Sequence, residues 1–508
     1  WKEVICDSQR RAENLPVRRE EMATHIVFSM LQRESSIYIS SANDDYMALT
    51  ALEDSGIIAV YDNSPRRWMM SHDVYEELII KHILTQRYQE GIEAKKVLEG
   101  FGLSLRARKL YRIWLESVFA SGGGRYADFL ISMLQSGLDQ AWKDETLIAL
   151  MQSDQVDCFR AIDPILSQER YSLFTRMVFL LNTACRDIDR ELLKKLSTPT
   201  GNKYRFTCPV GRAWFTVFQY IYNNRGLIPW TAQNLDIVTN TLKTWTAKYE
   251  TGETTRQAGR IALYLKSEIW KRERYPYTLQ RDSRFIILTD VILAAAMELK
   301  QELTDIFQSF TDTQTDDSYK ENYLLLQKSL SNVYECGRVC QVIPEQVLSL
   351  AERYWCDSSQ QEHNGYSHDS MEHYFGLSHS LDMKYKAESA LQTPLFLLLQ
   401  EAPIQALNTI LRIMNYATNC YSSSKLATEY SECSQIELHF TDGTVQRQVC
   451  SDRLWKMYRG THVAPKLLES VLMALEKWLL DLAEFTEEKT ICQFCEYCLL
   501  YTSDAADE

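Results

Sequence analysis

The pair His72-Asp73 is the point in the sequence where residue type and position best suit chemistry. It follows Met70 and Ser71 at the end of a predicted strand and opens a predicted helix. An imidazole near neutrality can donate a hydrogen bond to a phosphate oxygen, and charge-assisted bonds of this kind are stronger than neutral ones. The same position also suits a structural role, in which His72 caps or packs at the helix start and Asp73 is the N-cap. The sequence is consistent with both roles.

Four of the nine histidines form a second candidate cluster. His363, His368, His373 and His379 lie within seventeen residues, just downstream of Cys356. Imidazole and thiolate groups both ligate zinc. Histidines five residues apart do not share a helix face, however, because helical side chains meet at spacings of three or four. The pattern favours a surface loop over a metal site, and we assign no metal ligand.

A third candidate lies near the end of the chain, where Cys492, Cys495 and Cys498 have a spacing found in zinc and iron–sulfur sites. The last eleven residues, CLLYTSDAADE, look like the in-frame translation of a transposase adapter used to prepare DNA libraries. We therefore expect residues 498–508 to be adapter-derived. This removes the third cysteine from the native chain and disfavours a metal cluster. It also changes the net charge from −13 to about −10.

The composition indicates a folded, mainly helical chain. Its 508 residues include only 18 Gly and 11 Pro, while 45% are hydrophobic and 24% are charged. These values exclude collagen-like, low-complexity and wholly disordered chains. The excess of 68 Asp and Glu over 55 Lys and Arg disfavours sequence-independent nucleic-acid binding, which needs dense positive charge.

No segment suggests export or a membrane span. The opening residues lack a signal-peptide pattern, and the longest apolar run, Phe285–Met297, is too short to cross a bilayer. The cysteines follow no regular framework, which favours reduced thiols in a cytoplasmic protein. Because the chain begins at Trp1 and ends in the adapter-like segment, we expect an internal fragment of a longer protein.

The elements that must position His72 are predicted by local signals. Pro16 suits the first turn of a helix, the run Asn43-Asp44-Asp45 a helix cap, and Gly56 a helix stop. Short apolar stretches on either side of a turn at Asp62–Pro65 predict two strands. The predicted elements are a helix to about residue 32, a strand at 37–39, a helix across 46–52, strands at 57–61 and 67–71, and a helix at 73–88. This order is that of a winged-helix domain.

The remainder of the sequence is predicted to be almost wholly helical. Short breaks between apolar stripes suggest stacked helical hairpins of the α-solenoid type. A polar stretch at 311–319 is the best internal boundary, and Asp442-Gly443 predicts a β-hairpin at 436–449. We therefore predict a mainly α fold. Its parts are 1–36, 37–88, 89–310, 320–497 and the adapter-like 498–508.

The segment PRRWMMSHDVYEEL, residues 65–78, resembles the winged-helix domain of STAND NTPases, the signal-transducing class that includes the NOD-like receptors. That domain often ends in Met-His-Asp at the same strand-to-helix position, whereas here Ser71 is inserted before the histidine. Further segments look like stretches of large bacterial antiphage proteins of the Avs sort. They are HDVYEELIIKHIL, GETTRQAGRIAL, SALQTPLFLLLQ and THVAPKLLESVLMALEKWLL.

The resemblance implies that His72 contacts the β-phosphate of bound ADP and that Asp73 supports the turn. It implies that residues 1–36 contain the helical end of the NTPase module and the first winged-helix helix. The longer parent would be an ATPase that binds ATP or ADP with Mg²⁺, form a homo-oligomer, and sense a protein ligand of viral origin through its helical region. No G-x-x-x-x-G-K-[ST] loop occurs in the sequence, so we expect the fragment to hold no cofactor and to contain no catalytic residue.

Two other functions stay open. A winged helix can read DNA, and Arg66 and Arg67 on the wing could touch phosphates. The predicted recognition helix, Asp44–Ser55, argues against this function because it contains four acidic residues and no Lys or Arg. A helical-repeat scaffold with no link to nucleotides is the third possibility.

Overall fold

A computed structural model describes residues 3–7, 14–121, 125–153, 156–196, 206–273, 281–312, 317–356, 371–378, 389–430, 433–439, 443, 445–455 and 465–501. The chain divides into two compact units, Trp1–Thr244 and Trp245–Glu508. Helices dominate both units, which confirms the predicted mainly α fold. None of the helices in the described ranges combines the length and apolar character that crossing a bilayer requires.

The first unit opens with a small sheet enclosed by three helices, in the order that the sequence predicts. The three strands form an antiparallel sheet in the order β1-β3-β2, with Tyr38 opposite Trp68 and Ile58 opposite Met70. The elements are α1 (Leu15–Gln32), β1 (Tyr38–Ile39), α2 (Tyr46–Asp54), β2 (Ile58–Val60), β3 (Arg67–Met70) and α3 (Asp73–Glu90).

Local signals explain these boundaries. Pro16 lies in the first turn of α1, where its missing N–H costs nothing. The Asp45 carboxylate caps α2 by accepting from the backbone N–H of Ala48 at 3.1 Å. Gly56, with φ of +71°, ends α2 in the left-handed conformation that glycine adopts most readily.

Side chains along β3 alternate between the core of this module and the solvent. Trp68 and Met70 point inward and are buried, while Arg67 and Met69 point outward and are exposed. Helix α1 covers the inner side with residues at helical spacing, including Met22, Ile26 and Met30, all of which are buried.

A fully buried guanidinium ties this module together. The Nε of Arg19 donates to the carbonyl of Ile5 at 2.8 Å, and its two terminal nitrogens donate to the carbonyl of Ala51 and to the hydroxyl of Ser55. Ala51 and Ser55 lie at the C-terminal end of α2, where carbonyls lack helical partners and a positive charge is favoured. Arg19 therefore joins α1, α2 and the N-terminal segment.

The rest of the first unit is a stack of helices. Within it, helices contact partners two places along the chain (α5 with α7, α6 with α8, α7 with α9), which is the pattern of stacked helical hairpins. The structure adds an antiparallel pair, β4 and β5, that the sequence analysis did not predict. The elements are α4 (Ala94–Val97), α5 (Leu105–Ser121), α6 (Tyr126–Gln135), α7 (Gln140–Gln152), α8 (Val156–Leu166), α9 (Ser172–Ala184), β4 (Arg186–Ile188), α10 (Arg190–Leu196), β5 (Thr207–Pro209), α11 (Ala213–Asn224) and α12 (Ala232–Thr246), within which the division falls.

Helix α3 is shared between the small module and this stack. The indole N–H of Trp114 in α5 donates to the hydroxyl of Thr85 at 3.1 Å. Near the end of α3, the guanidinium of Arg87 lies over the rings of Phe28 and Phe101 and donates to the carbonyl of Glu99. Contacts of α3 with α1, β3 and α5 therefore run along the whole helix.

The second unit is also helical, with the predicted hairpin formed by β6 and β7. Gly443 in its turn has φ of +85°, while Asp442 lies outside the described residues. The polar stretch predicted as a boundary at 311–319 falls where α15 ends and α16 begins. The elements are α13 (Glu253–Glu273), α14 (Ser283–Ala294), α15 (Lys300–Asp312), α16 (Asp317–Ser329), α17 (Val333–Val342), α18 (Pro344–Trp355), α19 (Met371–Tyr374), α20 (Leu395–Glu401), α21 (Pro403–Ser422), α22 (Lys425–Glu429), β6 (Ser434–His439), β7 (Val445–Cys450), α23 (Asp452–Trp455), α24 (Lys466–Ala483) and α25 (Glu488–Tyr501).

Lys266 of α13 is buried between helices of the second unit. Its amine donates to the amide oxygen of Asn322 in α16 and lies 5.3 Å from the ring centre of Phe285 in α14. Burial lowers its pKa from 10.5 to about 8, although the nearby carboxylate of Glu321 opposes the shift. Burying the charged amine therefore lowers the stability of the folded state, and the packing of α13, α14 and α16 offsets this loss.

This burial gives the second unit a specific pH dependence. Between about pH 8 and 10.5 the unfolded chain holds a proton that folded Lys266 has lost, so stability rises with pH across this window. Relative to a Lys266→Met variant, the wild-type free energy of unfolding should rise by about 3 kcal/mol between neutral pH and pH ~10. Urea denaturation of both proteins across this range measures the difference. Parallel stability curves for the two proteins would contradict the assignment.

Candidate functional site

The structure places His72 at the junction of β3 and α3, with its side chain on the surface. His72 itself is the N-cap of α3, with φ of −149° and ψ of 141°, and its Nδ1 accepts from the backbone N–H of Val74 at 3.1 Å. Asp73, which the capping alternative assigned as N-cap, is instead the first residue of the helix. That detail was wrong because the extended backbone of His72 brings its own ring within reach of Val74.

The cap determines which edge of the imidazole is available. Because Nδ1 accepts a hydrogen bond, the neutral ring carries its proton on Nε2. His72 is exposed, and no other side-chain hydrogen bond joins it to a residue in the described ranges. The outer edge of the ring therefore presents an N–H donor to the solvent at the N-terminal end of α3.

An ion pair behind the cap ties this helix end to the next helix. Glu76, in the first turn of α3, is 2% exposed, and its Oε2 pairs with the guanidinium of Arg106 in the first turn of α5. Its other oxygen, Oε1, is buried and has no hydrogen-bond partner among the described residues. Burial lowers the pKa of Arg106, and the charge of Asp73 opposes that shift. Arg106 thus offsets part of the negative charge of the two acidic residues near His72.

The position of Ser71 shows how the extra residue in Met-Ser-His-Asp is accommodated. Its backbone N–H donates to the carbonyl of Ile57 at 3.0 Å, and its hydroxyl donates to the carbonyl of Gly56. Ser71 therefore continues the pairing of β3 alongside β2. His72 keeps its place at the helix start.

The metal candidates are not assembled in the part of the chain that the structure describes. His373 lies in the short helix α19, while His363, His368 and His379 fall outside the described residues. Cys492 and Cys495 are exposed on α25, and the side chain of Cys498 is not among those described. Within the described ranges, no group of three or more His, Cys, Asp and Glu could hold a metal ion.

The Glu76–Arg106 pair was missed by the sequence analysis. The two residues are 30 positions apart, and each lies in a different helix. A Glu in the first turn of a helix is common because it faces the positive end of the helix dipole, so Glu76 carried no distinguishing signal. Only the packing of α3 on α5 reveals that its carboxylate is buried and paired.

Comparison with known proteins adds no family: no family model matches the chain, and no curated protein matches it.

Two substitutions of His72 separate the effect of its capping hydrogen bond on stability from the effect of its imidazole ring. We expect His72→Ala to lower the free energy of unfolding by about 1 kcal/mol, because the N–H of Val74 loses its acceptor. His72→Ser should stay close to wild type, since a serine hydroxyl is a good N-cap. Chemical denaturation of the three proteins makes the comparison, and equal losses in both variants would contradict a capping role.

The Glu76–Arg106 pair should behave as a partly buried ion pair. Arg106→Leu leaves the buried carboxylate of Glu76 without its cation and should cost about 1–3 kcal/mol of stability. We expect the low end of that range because 35% of the Arg106 side chain is exposed to solvent. The double variant Glu76→Leu/Arg106→Leu should recover most of the loss. A double variant less stable than Arg106→Leu in urea denaturation would disprove this account.

Proposed function

We propose that this chain is the regulatory and sensor part of a bacterial STAND-type NTPase, acting in the cytoplasm in antiphage defence. The observation that carries the proposal is the exposed imidazole of His72. It is held by its cap with the Nε2–H outward, at the strand-to-helix junction where the family has its Met-His-Asp histidine. An N–H donor at a helix N-terminus is suited to a phosphate oxygen.

The architecture around His72 supports this proposal. The order helix, strand, helix, hairpin, helix and the sheet order β1-β3-β2 agree with a winged-helix domain. Ser71 pairs with Ile57 and Gly56 at the end of β3, so His72 stands directly at the helix start, which is the position that the proposal requires. In the proposed switch, His72 contacts the β-phosphate of ADP, and loss of that contact changes the balance between two orientations of the domain.

The nucleotide itself requires residues that the chain lacks. The 508 residues contain no G-x-x-x-x-G-K-[ST] sequence, and the proposal therefore places the P-loop that cradles the phosphates, with the Mg²⁺ ligands, in a module upstream of Trp1. The chain would contribute binding and positioning through His72, with Asp73 supporting the turn, while the upstream module carries out hydrolysis. The genomic sequence upstream of the Trp1 codon provides a direct check, because a region without such a motif would overturn the proposal.

The surface of α2 argues against the alternative of a DNA-binding regulator. Its exposed residues include Glu53 and Asp54, and no basic residue lies on the helix. A recognition helix contacts both phosphates and base edges, and acidic residues at those positions would repel the phosphates. The alternative of a helical scaffold with no nucleotide link is distinguished by the experiment below.

The second unit offers a groove for the protein ligand of the proposed sensor. A cavity of about 640 Å³ lies between α14, α17 and α20. Leu293, Val333 and Leu397 supply apolar lining. The charged lining residues are Asp290, Lys328, Glu335 and Arg338, with Lys328 paired to Asp290 and Arg338 to Glu250. Tyr334 is 86% exposed beside them. A groove of mixed apolar and charged lining with an exposed aromatic ring suits a protein partner.

The proposal predicts a specific effect on nucleotide retention in the full-length parent. His72→Ser keeps the cap but removes the ring donor, so ADP release should accelerate by at least about tenfold, the equivalent of one charge-assisted hydrogen bond. His72→Ala should accelerate release similarly and also destabilise the fold. Stopped-flow displacement of a fluorescent ADP analogue measures the rate.

The matched control is His439→Ser, because His439 is an exposed histidine in the second unit. This variant should release ADP at the wild-type rate. Wild-type release rates in both His72 variants would favour the scaffold alternative.

A further inference from the structure

The small sheet module carries two adjacent arginines that are exposed at the start of β3. Arg66 and Arg67, at the start of β3, are exposed, and neither makes a side-chain hydrogen bond or ion pair with any residue in the described ranges. Arginines elsewhere in these ranges commonly pair with carboxylates, as Arg18 does with Asp45 and Arg176 with Asp144. Both positive charges therefore face the solvent.

Arg67 lies beside an apolar patch on the outer side of the sheet, and Arg66 precedes it at the exposed start of the strand. Arg67 is opposite Ile39 in the β1–β3 ladder, and Met69 follows two residues later on the same side. The backbone N–H of Tyr61 donates to the carbonyl of Arg67, which places Tyr61 opposite it as well. We call Ile39, Tyr61, Arg66, Arg67 and Met69 the basic face.

The exposed side of α2 has the complementary character. Tyr46 and Met47 are exposed in its first turn, while Glu53 and Asp54 are exposed in its last turn. Neither Glu53 nor Asp54 has an ion pair or a side-chain hydrogen bond within the described part of the chain. We call these four residues the acidic face. The five apolar or aromatic residues of the two faces are between 37% and 55% exposed.

The two faces lie at different places on the module and do not neutralise each other. Arg66 and Arg67 follow the turn of the β2–β3 hairpin. Glu53 and Asp54 end α2 close to Gly56, which pairs with Ser71 at the opposite end of that hairpin. Asp62 in the turn offsets one of the two arginine charges and leaves a net positive end. The module therefore has a basic, apolar end and an acidic, apolar side.

We propose that the basic face of one chain docks on the acidic face of a second copy of the same chain. Opposite charges would pair, and the apolar residues of the two faces would cover each other. Because the two faces are different, the contact is heterologous and repeats from copy to copy. It produces a ring if the rotation closes and a filament if it does not.

This surface goes beyond the proposed function, since it requires no nucleotide. A nucleic acid is a poorer occupant, because a phosphate backbone would leave Ile39 and Met69 uncovered and would face a chain of net charge −13. Each face consists of a few side chains, well below the roughly 800 Å² per partner of a standard interface. The association is consequently weak, dependent on concentration and reduced by salt.

Charge reversal on each face separately provides the test. In Arg66→Glu/Arg67→Glu both faces are acidic, and in Glu53→Arg/Asp54→Arg both are basic, so neither variant should self-associate. An equimolar mixture should assemble again with the two variants alternating, because the unchanged faces are complementary to each other and the two reversed faces are as well. Wild-type chain should assemble further as its concentration rises. Sedimentation velocity at low and high salt distinguishes these species.

The controls keep the result interpretable. Circular dichroism and thermal melts confirm that each variant is folded, and Arg281→Glu reverses an exposed arginine of the second unit, so it should assemble like wild type. A wild-type chain that stays monomeric at every concentration would overturn the proposal. So would charge-reversed variants that assemble like wild type, or a mixture that stays monomeric. None of these outcomes bears on ADP release through His72.

Discussion

The burial of α3 on two sides is the constraint on which the rest of the first unit depends. From Tyr75 to Thr85 no residue of this helix is exposed, because α1 and β3 cover one side and α5 covers another. A helix held in this way has little freedom to rotate or slide. The packing of the middle of α3 therefore determines the direction of its N-terminus. Because His72 caps that N-terminus, the same packing also determines where its imidazole ring lies.

The same packing explains why a carboxylate is tolerated inside this interface. Glu76 lies on the buried stripe of α3 together with Ile79 and Ile80. A buried carboxylate is costly unless a cation accompanies it, and Arg106 reaches it from the start of α5. The pair brings two helix N-termini together, where negative charge is favoured by both dipoles. A polar contact of this kind specifies register, since a shift of either helix would leave Glu76 unpaired.

The sequence predicted the elements around His72 well, because their limits follow from local signals. Asp45, Gly56 and the turn before Pro65 act within a few residues, and the observed strands and helices begin and end close to the predicted positions. The choice between His72 and Asp73 as the cap depended on backbone angles that residue types do not specify. Pairings across many residues, such as Lys266 with Asn322 and β4 with β5, depend on tertiary packing, which no local pattern contains. The role of His72 toward a nucleotide stays a prediction, since it depends on chemistry beyond these residues.

Arg19 has a consequence for how relatives of this chain would vary. Its planar guanidinium donates in three directions at once, to Ile5, Ala51 and Ser55, which a lysine ammonium on a flexible stem could not reproduce. Two of these acceptors are backbone carbonyls that every sequence supplies, so only the hydroxyl at position 55 is subject to substitution. In a set of homologous sequences, arginine at position 19 and a small hydrogen-bonding residue at position 55 should therefore change together, as a covarying pair that marks this module.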